Sequence, residues 1–256
     1  APTTGTLSIN MPGSTVSVEG NYNKVVAQAA EKTIVSEGSA LSSLELQKGN
    51  VEIYGNVTDM TLADGCKVEL YAVSDNATFL KAANLASENR CEKIVLGEDI
   101  ECTSDINIAG ELDLNNKSLT MSQTDMTVKS GNSFSVSNGA INSTMNMSHY
   151  SVMSVEENGS LLLEDVYFES TGVPVYPSGD ASSVTIRNST ITGGAYAVTT
   201  NASERHSLTI TLENSAFSAL SPILMNVPGT LNMKNCTVSG QMHGVIVRGG
   251  SATVED

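Results

Sequence analysis

Short runs of alternating apolar and polar residues fill most of the chain, and in the second half the runs repeat. Take an Asn or Asp as position zero. Apolar residues then recur four and two places before it and three after it, as expected of strands whose side chains alternate faces with period two. Leu112, Leu114, Asn116 and Leu119 make the first copy, and Phe134, Val136, Asn138 and Ile141 the second. Leu161, Leu163, Asp165 and Phe168 follow, then Val184, Ile186, Asn188 and Ile191. Ile210, Leu212, Asn214 and Phe217, then Leu231, Met233, Asn235 and Val238, complete six copies. Position zero recurs every 21 to 27 residues, and Ala252, Val254 and Asp256 open a seventh copy. Repeats of that length, each holding strands broken by Gly, Asn and Ser, predict one solenoid turn per repeat.

A further apolar pair follows the later copies: Val173/Val175, Ala195/Ala197, Ile223/Met225 and Val245/Val247, closed by turns at Gly179, Asn201, Gly229 and Gly250. Each turn is thus expected to hold two or three strands, paired in parallel with their equivalents about 4.8 Å away. Asn188, Asn214 and Asn235 then stack into a ladder in which each amide bonds to the next. A shorter repeat precedes the long one, with Val16/Val18, Ile34/Ser36, Val51/Ile53 and Val68/Leu70 spaced by 18, 17 and 17 residues. It predicts a tighter solenoid with two strands per turn, or a compact β domain, over 1–73, ahead of a longer-coiled domain over 74–256.

Between the two repeats, Phe79, Ala82, Ala83 and Ala86 fall on one face at helical spacing, behind Ser74 or Asp75 as a cap. This predicts a helix over about 75–87 that covers the core of the first long coil. The expected fold is all-β: a right-handed parallel β-helix with a short capping helix and the shorter repeat before it.

Composition narrows the classes of function. The formal charge is -15, from 28 acidic against 13 basic residues, with no basic run, so nucleic acid and anionic membrane surfaces are not expected partners. No apolar stretch approaches the ~20 residues of a membrane helix, so this segment is not expected to insert. The start at Ala1-Pro-Thr-Thr-Gly reads as a trimmed, exported product. The seventh motif reaches the last residue; the expectation is that the native chain continues past Asp256, with self-association at that open coil as the alternative. Cys66, Cys91, Cys102 and Cys236 form no CxxC pair or Cys/His cluster, so no metal site is expected from them. One disulfide among the first three and buried free thiols both stay open.

A solenoid fills its interior, so any activity sits on outward positions or in turns. The outward position before each corner reads Glu164, Arg187, Glu213, Lys234 and Glu255, alternating in sign. Opposite charges on adjacent strands attract, which makes this column a structural ladder. The other outward column, Asp113, Ser135, Leu162, Thr185, Thr211 and Asn232, is neutral after its first member. His149, His206 and His243 stand near turns without carboxylate partners and read as surface residues. Glu98, Asp99 and Glu101, and the pair Glu156/Glu157, carry oxygen ligands for calcium without the spacing of a dedicated site, so no cofactor is expected. Nine Asn-x-Ser/Thr triplets, including Asn56, Asn76 and Asn188, suit the composition as well as they suit glycosylation. Tyr54 and Tyr71 occupy equivalent positions one short turn apart and should stack side by side on the surface, either as a cross-strand pair or as a platform for the apolar face of a sugar.

The coils, the helix, the segment Ile94-Val-Leu-Gly-Glu-Asp-Ile100 and the run Leu112-Asp-Leu-Asn-Asn-Lys-Ser-Leu119 resemble the pectate-lyase-like right-handed β-helix superfamily, more narrowly its exported, adhesin-like bacterial members. The resemblance covers about residues 74–256. It implies a non-catalytic module, extracellular or on the bacterial cell surface, whose partner is a cell-surface glycan or a host or partner protein. The enzyme branches' motifs are missing: only Met242-His243-Gly244 approaches the Gly-His-Gly of polygalacturonases, and the Arg-x-Pro-x-x-Arg and Trp-x-Asp-His runs of pectate lyases do not occur. A fragment of a polysaccharide lyase or glycoside hydrolase, and a structural spacer or filament subunit, are the alternatives.

Overall fold

The computed structural model describes residues 3–145, 150–200 and 207–256. Within them the chain is an all-β parallel solenoid of about 11 turns with one short helix, as the repeats predict and consistent with a right-handed coil. The first four turns have two strands each: β1 (Thr3–Ile9) and β2 (Thr15–Val18), β3 (Asn21–Ala27) and β4 (Lys32–Val35), β5 (Ala40–Leu46) and β6 (Asn50–Ile53), β7 (Asn56–Leu62) and β8 (Lys67–Val73). The odd-numbered strands form a four-stranded face that ends at β7. Helix α1 (Asn76–Ser87) follows, and from β9 (Cys91–Leu96), β10 (Ile100–Cys102) and β11 (Ile106–Ile108) onward the coils have a third face, a seven-stranded sheet that begins at β11. The two coil types share one sheet, because Leu70 of β8 pairs in parallel with Ile94 of β9. Their apolar core is continuous from Ile9 to Met233.

Position zero of the long repeat is a left-handed corner. Asn116, Asn138, Asp165, Asn188, Asn214 and Asn235 have φ of 60, 59, 55, 51, 48 and 50°. Asn and Asp tolerate this conformation better than other residues with a Cβ, which explains their recurrence. The corner N–H groups of Asn188, Asn214 and Asn235 then bond to the carbonyls of Glu213, Lys234 and Glu255 one coil on, at 3.1, 2.9 and 2.9 Å. The next residue turns inward: Ser189 Oγ donates to the Arg187 carbonyl at 2.7 Å and accepts the Val166 N–H at 3.0 Å, and Ser215 Oγ does the same for Glu213 (2.7 Å) and Ser189 (3.0 Å). These buried serines satisfy backbone groups that a corner leaves without ladder partners.

The register confirms most of the motif and corrects three parts of it. Phe134, Leu161, Val184, Ile210, Leu231 and Ala252 share one column, and Val136, Leu163, Ile186, Leu212, Met233 and Val254 another. The first copy is two residues out in its first half. Gly110 and Leu112 face Phe134 and Val136, while Leu119 does face Ile141. The reason is a longer corner, in which Asn115 and Asn116 are both left-handed and Leu114 is buried. Asp113 accordingly joins the column of Ser137 and Glu164, not that of Ser135. In the short repeat Thr33 and Val35, not Ile34 and Ser36, face Val16 and Val18. Thr33 is fully buried, and Ile34 alternates to the outer side opposite Ser17 and Glu52. On the third face Val175 pairs with Val198, and Val198 with Ile223, so Ala195/Ala197 precede the strand. The turn expected at Asn201 lies outside the described residues.

Helix α1 forms where expected, with Asp75 as N-cap and Phe79, Ala82, Ala83 and Ala86 buried. It packs on β9, β10 and β11. It therefore covers the start of the third face rather than an end of the solenoid. Cys66, Cys91 and Cys102 are buried free thiols, which closes the disulfide alternative among the first three cysteines. Burial pushes the Cys91 thiol up to about 12, so it packs as a small apolar group.

Candidate functional site: a groove between β7 and α1

A strand would follow β7 at a spacing of about 4.8 Å, but a helix about 10 Å across stands there instead. This mismatch leaves a groove of about 690 Å³ between the β7 edge and α1. Ligand clefts commonly span about 300–1,000 Å³. Its apolar lining comes from Ile53, Val57, Met60, Leu70, Ala82 and Leu85, and its polar lining includes Asn56, Thr58, Asp59, Asp75, Thr78, Lys81 and Asn84. The β7 edge, in the groove and beyond it, is guarded by side chains. Lys81 Nζ donates to the Thr58 carbonyl at 3.1 Å, Arg90 Nη2 to the Leu62 carbonyl at 2.6 Å, and the Met60 N–H to Asp59 Oδ1 at 3.0 Å. An edge held this way resists pairing with a further strand.

Tyr54 and Tyr71 both line the groove. They meet because Ile53 and Leu70, the residues before them, are paired in register. Their rings lie face to face, with centroids 4.3 Å apart and planes 12° from parallel. The rings thus stack as their equivalent positions predict, and each gives one face to its partner. Tyr54 Oη donates to Glu52 Oε2 at 3.2 Å, and Tyr71 Oη to Glu69 Oε2 at 2.6 Å. The bond to Glu69 holds the Tyr71 phenol above its usual pKa, and burial does the same for Tyr54, so both are neutral at physiological pH.

Asp75 is the helix cap. Its Oδ1 accepts the Thr78 N–H at 2.8 Å and its Oδ2 the Thr78 hydroxyl at 3.0 Å. The Thr78 backbone N–H is the main cause that holds the Asp75 carboxyl below the usual range. A carboxylate fixed in that form accepts hydrogen bonds and is a poor general acid. The groove thus suits binding, by apolar surface, ring faces and acceptor oxygens.

Of the other residues singled out by sequence, Asn56 lines the groove and Asn76 opens α1, while the ladder residues lie along the later coils. Asn214 Nδ2 donates to Asn188 Oδ1 at 3.4 Å and Asn235 Nδ2 to Asn214 Oδ1 at 3.1 Å, which gives the expected ladder. Arg187 grips Glu164 through two contacts, Nε to Oε1 at 2.7 Å and Nη2 to Oε2 at 3.0 Å. Glu213 and Lys234 follow in register, but among the described residues only the Glu164–Arg187 rung of this column closes to within 4.0 Å. The alternation of sign is therefore complete and the contact partial, because exposed long side chains gain little by closing.

The acidic clusters are drawn to separate partners. Asp99 accepts the Ser118 N–H at 2.8 Å, Glu101 the Ser122 hydroxyl at 2.5 Å, and Glu156 pairs with Lys129 at 2.8 Å. Among the described residues no three His, Cys, Asp or Glu converge as a metal would need. His243 Nδ1 lies 3.4 Å from Ser221 Oγ, and His149 and His206 lie outside the described residues. No helix among the described residues is long and apolar enough to cross a membrane. Comparison of the chain with family models, with curated proteins and with solved structures finds no match.

Proposed function

We propose that this chain is a non-catalytic binding module, extracellular or on the cell surface, that holds a glycan in the groove between β7 and α1. One observation carries the reading: a stacked tyrosine pair stands beside apolar lining and a ring of hydroxyl, amide and carboxylate groups in a cleft of about 690 Å³. Sugars present C–H faces to aromatic rings and hydroxyls to polar rims, so this mixture is the complement of a saccharide. The family resemblance to adhesin-like β-helices leans the same way. A glycan array tests it, followed by titration of any bound glycan with Tyr54→Ala and Tyr71→Ala. The expected result is a signal in the wild type that falls about tenfold or more in Tyr71→Ala, a loss of about 1.4 kcal/mol. A blank array, or tyrosine variants that bind as the wild type does, contradicts the reading.

A further inference from the structure

Six hydroxyls line the groove, and four already donate their proton inward: Tyr54 to Glu52, Tyr71 to Glu69, Thr78 to Asp75 and Ser39 to the Val18 carbonyl, at 3.2, 2.6, 3.0 and 3.3 Å. A hydroxyl has one proton, so each of these shows a ligand lone pairs only. The charged lining leans the same way. It has two carboxylates, Asp59 and Asp75, against one ammonium, Lys81, which is turned onto the Thr58 carbonyl. Two further carboxylates, Glu52 and Glu69, stand behind the tyrosine hydroxyls. The groove is thus rich in acceptors and negative in field.

An anionic group entering it loses water and meets an excess of carboxylates, with the Asn56 and Asn84 amides and the remaining Lys81 N–H groups as its donors, which is costly. A hydroxyl or an ammonium entering it finds acceptors. Resting on the glycan reading of this same groove, we propose that it selects saccharides by charge: it takes neutral and amine-bearing rings and turns away uronic or sulfated ones. The selection is built by rejection as much as by attraction, since acceptor oxygens do little for a neutral ring that water does not also do.

The test is calorimetric titration of the intact chain with three oligosaccharide series matched in length: N-acetylglucosamine oligomers, their de-N-acetylated glucosamine counterparts with the amines protonated, and galacturonate oligomers. The expected order is glucosamine first, then neutral, with galacturonate weaker than glucosamine by about tenfold or more, a gap that narrows as salt rises. Asp59→Asn keeps an oxygen for the Met60 N–H and removes a charge at an exposed site. It should lower the ratio of glucosamine to neutral binding severalfold. Galacturonate binding as strong as glucosamine binding, or a ratio untouched by Asp59→Asn, overturns charge selection and leaves the glycan reading standing. Failure of all three series to bind overturns charge selection too, and a blank array beside it removes the glycan reading as well.

Discussion

The two-stranded coils before α1 and the last of the three-faced coils after it stack by the same parallel pairing, yet they secure their outer surfaces with different chemistry. Ion pairs link the early coils, where Lys24 meets Glu45 at 2.7 Å and Lys32 meets Glu52 at 2.5 Å, cross the junction from Lys67 to Glu92, and continue after α1, where Lys93 meets Glu111 at 2.7 Å and Lys129 meets Glu156 at 2.8 Å. Beyond Arg187 no ion pair within 4.0 Å occurs among the described residues, and the asparagine and serine ladders take over. The corners differ as well, with Gly20 and Gly38 at φ of 97 and 77° early on and Asn near 50° later. An amide both donates and accepts, so one residue type can recur on every coil. An ion pair requires opposite signs on successive coils, so it shows as an alternation and never as one recurring residue.

Several changes would break or sharpen this comparison, and core truncations should act most strongly. Phe217→Ala in the later coils should cost about 3–5 kcal/mol and Leu44→Ala in the early ones about 2–5 kcal/mol, since Phe217 is 1% and Leu44 0% exposed. With one continuous core, both should move a single urea transition followed by circular dichroism. Two transitions, each moved by only one variant, would make the coil types separate units. Next comes Asn214→Ala, which strains a left-handed corner and breaks two amide bonds, for about 2–3 kcal/mol. Asn214→Gly keeps the backbone comfortable and should lose less; equal losses would mean the ladder alone matters.

Asp75→Ala removes the cap at the boundary between the two coil types and should cost about 1 kcal/mol by thermal melting. Its carboxyl is held below its unfolded pKa, so its contribution is present above the unfolded value and fades as pH falls through the folded one. Hydrogen exchange in α1 should therefore quicken in acid before the later coils loosen. Thr33→Val should be neutral or stabilising by up to about 1 kcal/mol, because the buried Thr33 Oγ1 has no hydrogen-bond partner. The smallest effect is that of salt. At ~1 M, exchange in β3 and β5 should quicken slightly while the coils from Asn188 to Asn235 stay as they were.

This contrast also explains what the sequence revealed. The corner Asn and its flanking apolar pairs set the register of the later copies correctly, because self-complementary ladders repeat. The early ion pairs escaped notice for the opposite reason. At Thr33 and Ile34 hydrophobicity misled: a threonine takes the core position in register, and the isoleucine beside it faces out. At Leu114 the alternation runs on into the corner, where two left-handed asparagines lengthen the turn. The tyrosine pair was legible as a pairing of equivalent positions. The groove beside it was not, because it arises from the width of a helix standing in place of a strand, which no local pattern encodes.

The central claim is that the junction where the coil changes shape is the binding site. It is tested most directly by titrating the isotope-labelled protein with a bound oligosaccharide and following its backbone amide resonances. Shifts confined to residues 53–60, 70–75 and the α1 face with Thr78, Lys81 and Leu85 are the expected result. Shifts centred on the later coils, around Glu164 to Asn235, with the junction unmoved, would contradict it.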